Sequence, residues 1–183
     1  MYYFNGDSPM SSILKVDTIQ TTAGAAPTTK DLGFAAGSVI QTQTLSRLRT
    51  ARQSITTNSY VAVNDGVGTF QLAITPKFSS SKIMGMFTIG GIATASNATS
   101  LGFSIYRNGS EIQSIDSHFG YNYDEHSDRH IFSPVFVDAP NSTSACTYAI
   151  YARNVGSGQT SYIFDTHIRD DNTSTFILQE IAQ

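Results

Sequence analysis

From Gly37 onward, hydrophobic and polar residues alternate with a period of two, in segments separated by turn chemistry. The pattern predicts strands at about 38–50, 58–63, 69–75, 82–93, 101–107, 111–117, 131–138, 145–153, 161–169 and 174–181. The clearest piece is "FSIYRNGSEIQSI", where two alternating runs flank Asn108-Gly109. Asn-Gly accepts the positive φ angles of a type I′ turn, whose twist matches paired antiparallel strands. Other breaks fall at Asn64-Asp65-Gly66, at Ser79–Ser81 after Pro76, at Ala139-Pro140-Asn141, at Gly156–Gly158 and at Asp170-Asp171-Asn172. No window carries helical periodicity beyond a turn or so. The fold class that follows is all-β: a jelly-roll-like antiparallel β-sandwich over residues 38–183, preceded by an extended segment over 1–37.

Several strands are apolar on both faces, notably Lys82–Ile92 and Ile131–Val137. The chain also holds eleven Phe and nine Tyr with no Trp, a large aromatic content for one sandwich. A strand that is apolar on both sides has to cover its second face, and a partner subunit is the ordinary cover. The expectation is therefore an oligomer in which aromatic side chains of the inner sheets meet between subunits. The alternation does not count the subunits.

The segment ahead of the sandwich is of a different kind. In "SSILKVDTIQTTAGAAPTTKDLG", residues Ile13, Leu14, Val16 and Ile19 form one short alternating stretch. A strand that short and isolated does not hold itself together, because ordering it costs more than its few apolar side chains return. Winding with other copies, or adding to the edge of another protein, would satisfy its backbone and bury those side chains. Thr21–Thr29 holds too few large apolar residues to pack and reads as a tether.

Composition narrows the functional classes. Charged residues make up only 14% of the chain, and Ser and Thr together roughly a quarter, so polarity comes from hydroxyls, which suits sheet surfaces. A net charge of −3 and a pI near 5.7 give no reason to expect a nucleic-acid partner. The single Cys146 excludes an internal disulfide and an all-cysteine metal site, and its apolar surroundings predict a buried, inert thiol. The N-terminus lacks the basic and long apolar regions of a secretory signal. The most apolar run, Ile83 to Ala93, is far short of the ~20 residues that span a bilayer, so no membrane insertion is expected and the chain is expected to be made and folded in a cytoplasm.

Catalytic motifs are missing from the sequence: it has no Gly-x-Ser-x-Gly elbow, no His-Glu-x-x-His pair and no phosphate-cradling glycine loop. The densest polar stretch is "SHFGYNYDEHSDRHIF", with His118, His126 and His130 beside Asp124, Glu125, Asp128 and Arg129. Its spacing matches no metal motif, and neither a metal nor a cofactor is expected. Its polarity predicts a long solvent-reaching loop over His118–His130, either simply solvated or in contact with a partner. Tyr121, Tyr123, His126 and Arg129 are the candidate recognition residues, since Tyr supplies amphipathic area with few rotors and Arg forked hydrogen bonds. Asp170-Asp171 reads as a turn former, and His167 beside Asp165 as a satisfied sheet histidine. An enzyme is not expected.

The opening "SSILKVDTIQTTAGAAPTTKDLG", followed by "GSVIQ", resembles the N-terminal signature of tail-fibre and other virion structural proteins of marine bacteriophages, notably cyanophages and pelagiphages. The remainder, with "LAITPKFSSSKIMGMFTIG", "YRNGSEI", "DAPNSTSACTYAIYARN" and "STFILQEIAQ", is similar to the trimeric sandwich domains of such proteins, which resemble the tumour-necrosis-factor-like jelly roll. The resemblance covers nearly the whole chain from Ser11. It implies a homotrimer, a place in the virion after synthesis in the host bacterial cytoplasm, and an N-terminal anchor on another virion protein through Ile13, Leu14, Val16 and Ile19. The function implied is a non-enzymatic structural one: a short trimeric tail fibre or fibre-like component. The alternatives are a capsid decoration or head-fibre protein, and an adhesin knob that binds a host glycan or surface protein. "MYYFNGDSP" departs from the pattern, so either Met10 is an alternative start or those residues are a docking extension.

Overall fold

The computed structural model describes residues 32–48, 50–94, 99–122, 129–156, 160–164 and 173–183. Every regular element among them is a strand. The first sheet contains β1 (Val39–Leu48), β2 (Gln53–Ile55), β5 (Lys82–Thr94), β8 (Arg129–Phe132), β9 (Val135–Asp138), β11 (Ser161–Ile163) and β12 (Thr173–Ile181). The second contains β3 (Val61–Ala62), β4 (Gln71–Ile74), β6 (Thr99–Arg107), β7 (Ser110–Asn122) and β10 (Cys146–Asn154).

All the pairings are antiparallel, and β5 is the spine of the first sheet. Its residues Ile83 to Met86 pair with β12 on one side and with β9 on the other. Further along, β8 takes over from β9, and β11 from β12. In the second sheet β10 is flanked by β6 on one side and by β3 and β4 on the other, with β7 beyond β6. Merging the interrupted strands gives the orders β1-β12-β5-β9 and β4-β10-β6-β7. These are the interlocked Greek keys of a jelly roll, as the alternation predicts.

The turns form where their chemistry dictates. Asn108 and Gly109 both have positive φ, 50° and 82°, so the β6–β7 hairpin carries the type I′ turn expected of Asn-Gly. Buried Asp65 accepts the backbone N–H groups of Val67 and Gly68 at 3.0 and 3.1 Å and pairs with Arg47 at 3.4 Å. Buried Glu180 accepts from the N–H groups of Lys77 and Phe78 at 2.8 and 3.1 Å and from Gln41 Nε2 at 2.6 Å. Both carboxylates leave water only because backbone donors replace it.

Three expectations need correction, and one, the strand over 161–169, falls only in part on the described residues. The strand expected over 131–138 is two strands, because Ser133-Pro134 interrupts it and proline has no N–H to give to a ladder. The strand expected over 161–169 is described only for Ser161–Ile163, and residues 165–172, with Asp165, His167 and Asp170-Asp171, lie outside the described residues. The long loop expected over His118–His130 is shorter: β7 runs to Asn122 and β8 begins at Arg129. Register shifts along β6–β7 break the alternation that a sequence reader follows, while Phe119 still faces the interior, 4.6 Å from Phe132 and 5.9 Å from Phe103 between ring centroids.

The third correction concerns the aromatic residues, seven of which, all phenylalanines, pack inside one chain rather than at its surface. Phe70, Phe87, Phe103, Phe132, Phe136, Phe164 and Phe176 are buried between the sheets of one chain. Phe103 of the second sheet stacks on Phe132 of the first at 4.3 Å, and Phe136 meets Tyr148 across the sandwich at 5.5 Å. The two-faced character of Lys82–Ile92 and Ile131–Val137 is nevertheless present: Ile83, Phe87, Ile89, Phe132 and Phe136 point inward, while aliphatic side chains occupy the other face.

Gly85 makes room for one of these rings. It lies opposite Phe136, and a Cβ placed on it would sit 2.1 Å from Phe136 Cε1. Gly85→Ala is expected to destabilise the protein by at least about 1–3 kcal/mol, the usual penalty of overpacking a core, with partial recovery when Phe136→Leu is added. Urea midpoints of the two variants check this; an unshifted Gly85→Ala midpoint would contradict the seating of the ring.

Candidate functional site

Residues directly opposite each other on neighbouring strands share a face of the sheet. On the outer face of the first sheet, Met84 stands between Val137 and Gln179, and Met86 between Val135 and Ile177. The row continues to β1, where Thr44 lies opposite Ile177 and Leu48 opposite Thr173. Ile131 of β8 projects from the same side, because its neighbour Phe132 is buried. Val135, Val137 and Ile131 are 55%, 56% and 70% exposed, so this aliphatic surface is open to water in one chain. Of the β5 and β12 side chains on that face, only Lys82 is charged.

The patch adjoins an open edge. Within the described sheet β9 pairs with β5 alone, so the other edge of Val135–Asp138 presents unpaired backbone next to exposed valines. Such edges are places where a further chain adds on.

One polar cluster links the two sheets. Arg107 of β6 forms an ion pair with Asp138 of β9, whose Oδ2 also accepts the Tyr148 hydroxyl at 2.7 Å. Cys146 lies beside them, buried, with its Sγ 3.5 Å from the Ser144 carbonyl. Burial pushes the Cys146 thiol up, and Arg107 only partly offsets this, so the thiol stays protonated and a poor nucleophile. Burial, and then the hydrogen bond to Asp138, hold the Tyr148 phenol far above its ordinary range. The cluster therefore works as a clamp between sheets. The buried thiol expected of Cys146 is what the structure shows. Among the described residues no three His, Cys, Asp or Glu side chains come together as a metal site.

The sequence-derived site residues fare unevenly. Ile13, Leu14, Val16 and Ile19 lie outside the described residues, as do Tyr123 and His126. Tyr121 sits at the end of β7 and Arg129 at the start of β8, so both belong to strand backbone rather than to a free loop. The aliphatic face was signalled by the two-faced strands. A second surface was not: Tyr60, Tyr106 and Tyr151 gather on the outer face of the second sheet, and no motif links residues so far apart in sequence.

Tyr148→Phe should cost about 1 kcal/mol at neutral pH, since Asp138 loses a donor. The pH dependence has a definite sign. The folded phenol titrates above the value of about 10 it has when unfolded, so above that pH the unfolded chain releases a proton that the folded chain keeps, and stability falls. Urea midpoints between pH 7 and 11 should show this alkaline decline weakened in Tyr148→Phe; an identical decline would place its origin elsewhere.

No family model matches the chain, and no curated protein does. Solved structures with some likeness include dimeric latent PorU from Porphyromonas gingivalis, with a TM-score of 0.43 and 9% identity over 82% of this chain and 14% of that one. Another is the VP2 protein of infectious bursal disease virus in derived T=1 particles, with a TM-score of 0.43 and 12% identity over 80% of this chain and 37% of that one. A third is the insecticidal delta-endotoxin Cry8Ea1 from Bacillus thuringiensis, with a TM-score of 0.33 and 13% identity over 71% of this chain and 19% of that one. The chain thus spans well under half the length of each of these structures. Likenesses this distant lend no weight to any function.

Proposed function

We propose that the chain is a non-enzymatic structural protein of a bacteriophage virion, a short trimeric fibre-like component whose jelly roll packs against two further copies and whose N-terminal segment joins the particle. The observation that carries the reading is the open aliphatic face of the first sheet, with Met84, Met86, Ile131, Val135, Val137 and Ile177. Contiguous apolar surface beside an unpaired edge is unfavourable in water and is ordinarily covered by protein. The resemblance of residues 11–33 to the N-terminal signature of phage virion proteins supports the particle, and the similarity of the sandwich to trimeric domains of such proteins supports the number three.

Val135 and Val137 give a direct test, because in a lone subunit they face solvent and replacing them matters little to folding, within about 0.5 kcal/mol each. At micromolar concentration the native protein should sediment as a trimer, and Val135→Asp combined with Val137→Asp as a folded single chain of 19.8 kDa. A native protein that sediments as a folded monomer would refute the trimer.

Anchoring is tested separately. With Ile13, Leu14, Val16 and Ile19 all changed to Ser, the trimer should form and melt as before, since these side chains lie ahead of the sandwich, yet incorporation into particles should fall at least tenfold. Mass spectrometry of purified virions reads the copy number; normal incorporation would remove the anchoring role.

A further inference from the structure

Two tyrosines on the outer face of the second sheet are held in ring-to-ring contact. Tyr106 of β6 lies opposite Ala149 of β10, and Tyr151 of β10 lies opposite Ser104 of β6, so the pair are diagonal neighbours. The small partners Ala149 and Ser104 leave room for the two rings to meet. Their centroids are 3.8 Å apart and their planes 19° apart. Both residues are half-buried, so each ring keeps an edge open to solvent.

We propose that Tyr106 and Tyr151 form an oxidative cross-linking site, joined within one chain as dityrosine by hydrogen peroxide acting through a one-electron haem oxidant. Each phenol gives up one electron and its hydroxyl proton and becomes a phenoxyl radical. A C–C bond then forms between one Cε of each ring, and the two displaced ring protons move to the phenoxyl oxygens. The two electrons and two protons released break the O–O bond of the peroxide and leave two molecules of water. Radical coupling ordinarily waits on an encounter between two rings, and here the encounter is built into the fold. Stacked rings already overlap where the new bond forms, and a biaryl keeps ring centres little farther apart than the stack does. Burial, followed by Glu111 and the phenols of Tyr151 and Tyr60, raises the Tyr106 pKa, so the hydroxyl proton is present at neutral pH and leaves with the electron.

The competing groups are placed elsewhere. The chain has no tryptophan, the Cys146 thiol is buried, and Met84 and Met86 lie on the outer face of the other sheet. Tyr60 meets Tyr106 edge-on at 6.3 Å, and the Arg153 guanidinium lies 5.1 Å over its ring. It offers no stacked face for coupling. The bond would tie β6 to β10, and its formation requires neither the trimer nor the virion.

The test treats the full chain at micromolar concentration with a haem peroxidase and one equivalent of hydrogen peroxide. Dityrosine fluorescence reports the product, and mass spectrometry after trypsin locates it. Tyr106 is the only tyrosine of the fragment 83–107, and Tyr151 lies in the fragment 130–153. These two fragments should appear linked, two hydrogens lighter than their sum, with fragment ions placing the bond at Tyr151 rather than Tyr148. The product should run at the single-chain mass of 19.8 kDa on a denaturing gel. Tyr106→Phe and Tyr151→Phe should each remove this link and lower the fluorescence at least threefold. In 6 M urea, where the stack is lost, the link should fall at least tenfold. The inference is overturned if the main product joins other tyrosines or separate chains, if either variant keeps the fluorescence, or if urea leaves the yield unchanged.

Discussion

Two β-sheets hold together face to face only if side chains fill the gap of about 10 Å between them. In this protein phenylalanine rings and isoleucines share that filling. Phe103 on Phe132 and Phe136 against Tyr148 tie the sheets together, while Phe87 on Phe176 joins neighbouring strands of the first sheet. Glycine 85 has no side chain because the Phe136 ring takes its place. With the interior filled by these side chains, every second residue of each strand points outward without a role in cohesion. Those outward positions are where chemistry can vary without loss of the fold.

The two outer faces have diverged accordingly. One is aliphatic and bordered by an unpaired edge; the other is tyrosine over small residues, fringed by amides and carboxylate. Charge is kept for the rims and loops. Asp65 and Glu180 each replace several water contacts with backbone N–H groups, while Asp138 joins Arg107 and Tyr148 between sheets. These three carboxylates pin connections that the strands alone would leave loose.

Much of this was legible in the sequence wherever a local rule decides local structure. Asn108-Gly109 specifies its turn, and the double-faced runs around Met84–Met86 and Val135–Val137 announce a strand with an uncovered side. The sequence was misleading where a rule is broken locally and repaired by a neighbour. Past Ser117 the alternation of β7 is disturbed by register shifts, so a strand looked like a loop. The abundance of Phe and Tyr was visible, but not their destination, because a ring at Phe103 can face inward or outward until β10 sets its register. The same pairing brings Tyr106 and Tyr151 together, and no spacing along the chain encodes it.

The placement of β12 carries one more consequence. It lies between β1 and β5, so the first sheet is closed by the last strand described, and Gln41 meets Glu180 across 139 residues of sequence. During synthesis β1 and one edge of β5 emerge long before their partner exists. Until β12 is delivered, the apolar inner face of β5, with Ile83, Phe87 and Ile89, has a bare flank open to any other chain nearby. Closure over so long a loop is entropically slow. The arrangement that gives the mature protein its non-local cross-links therefore leaves that flank of the nascent chain uncovered until its last described strand is made.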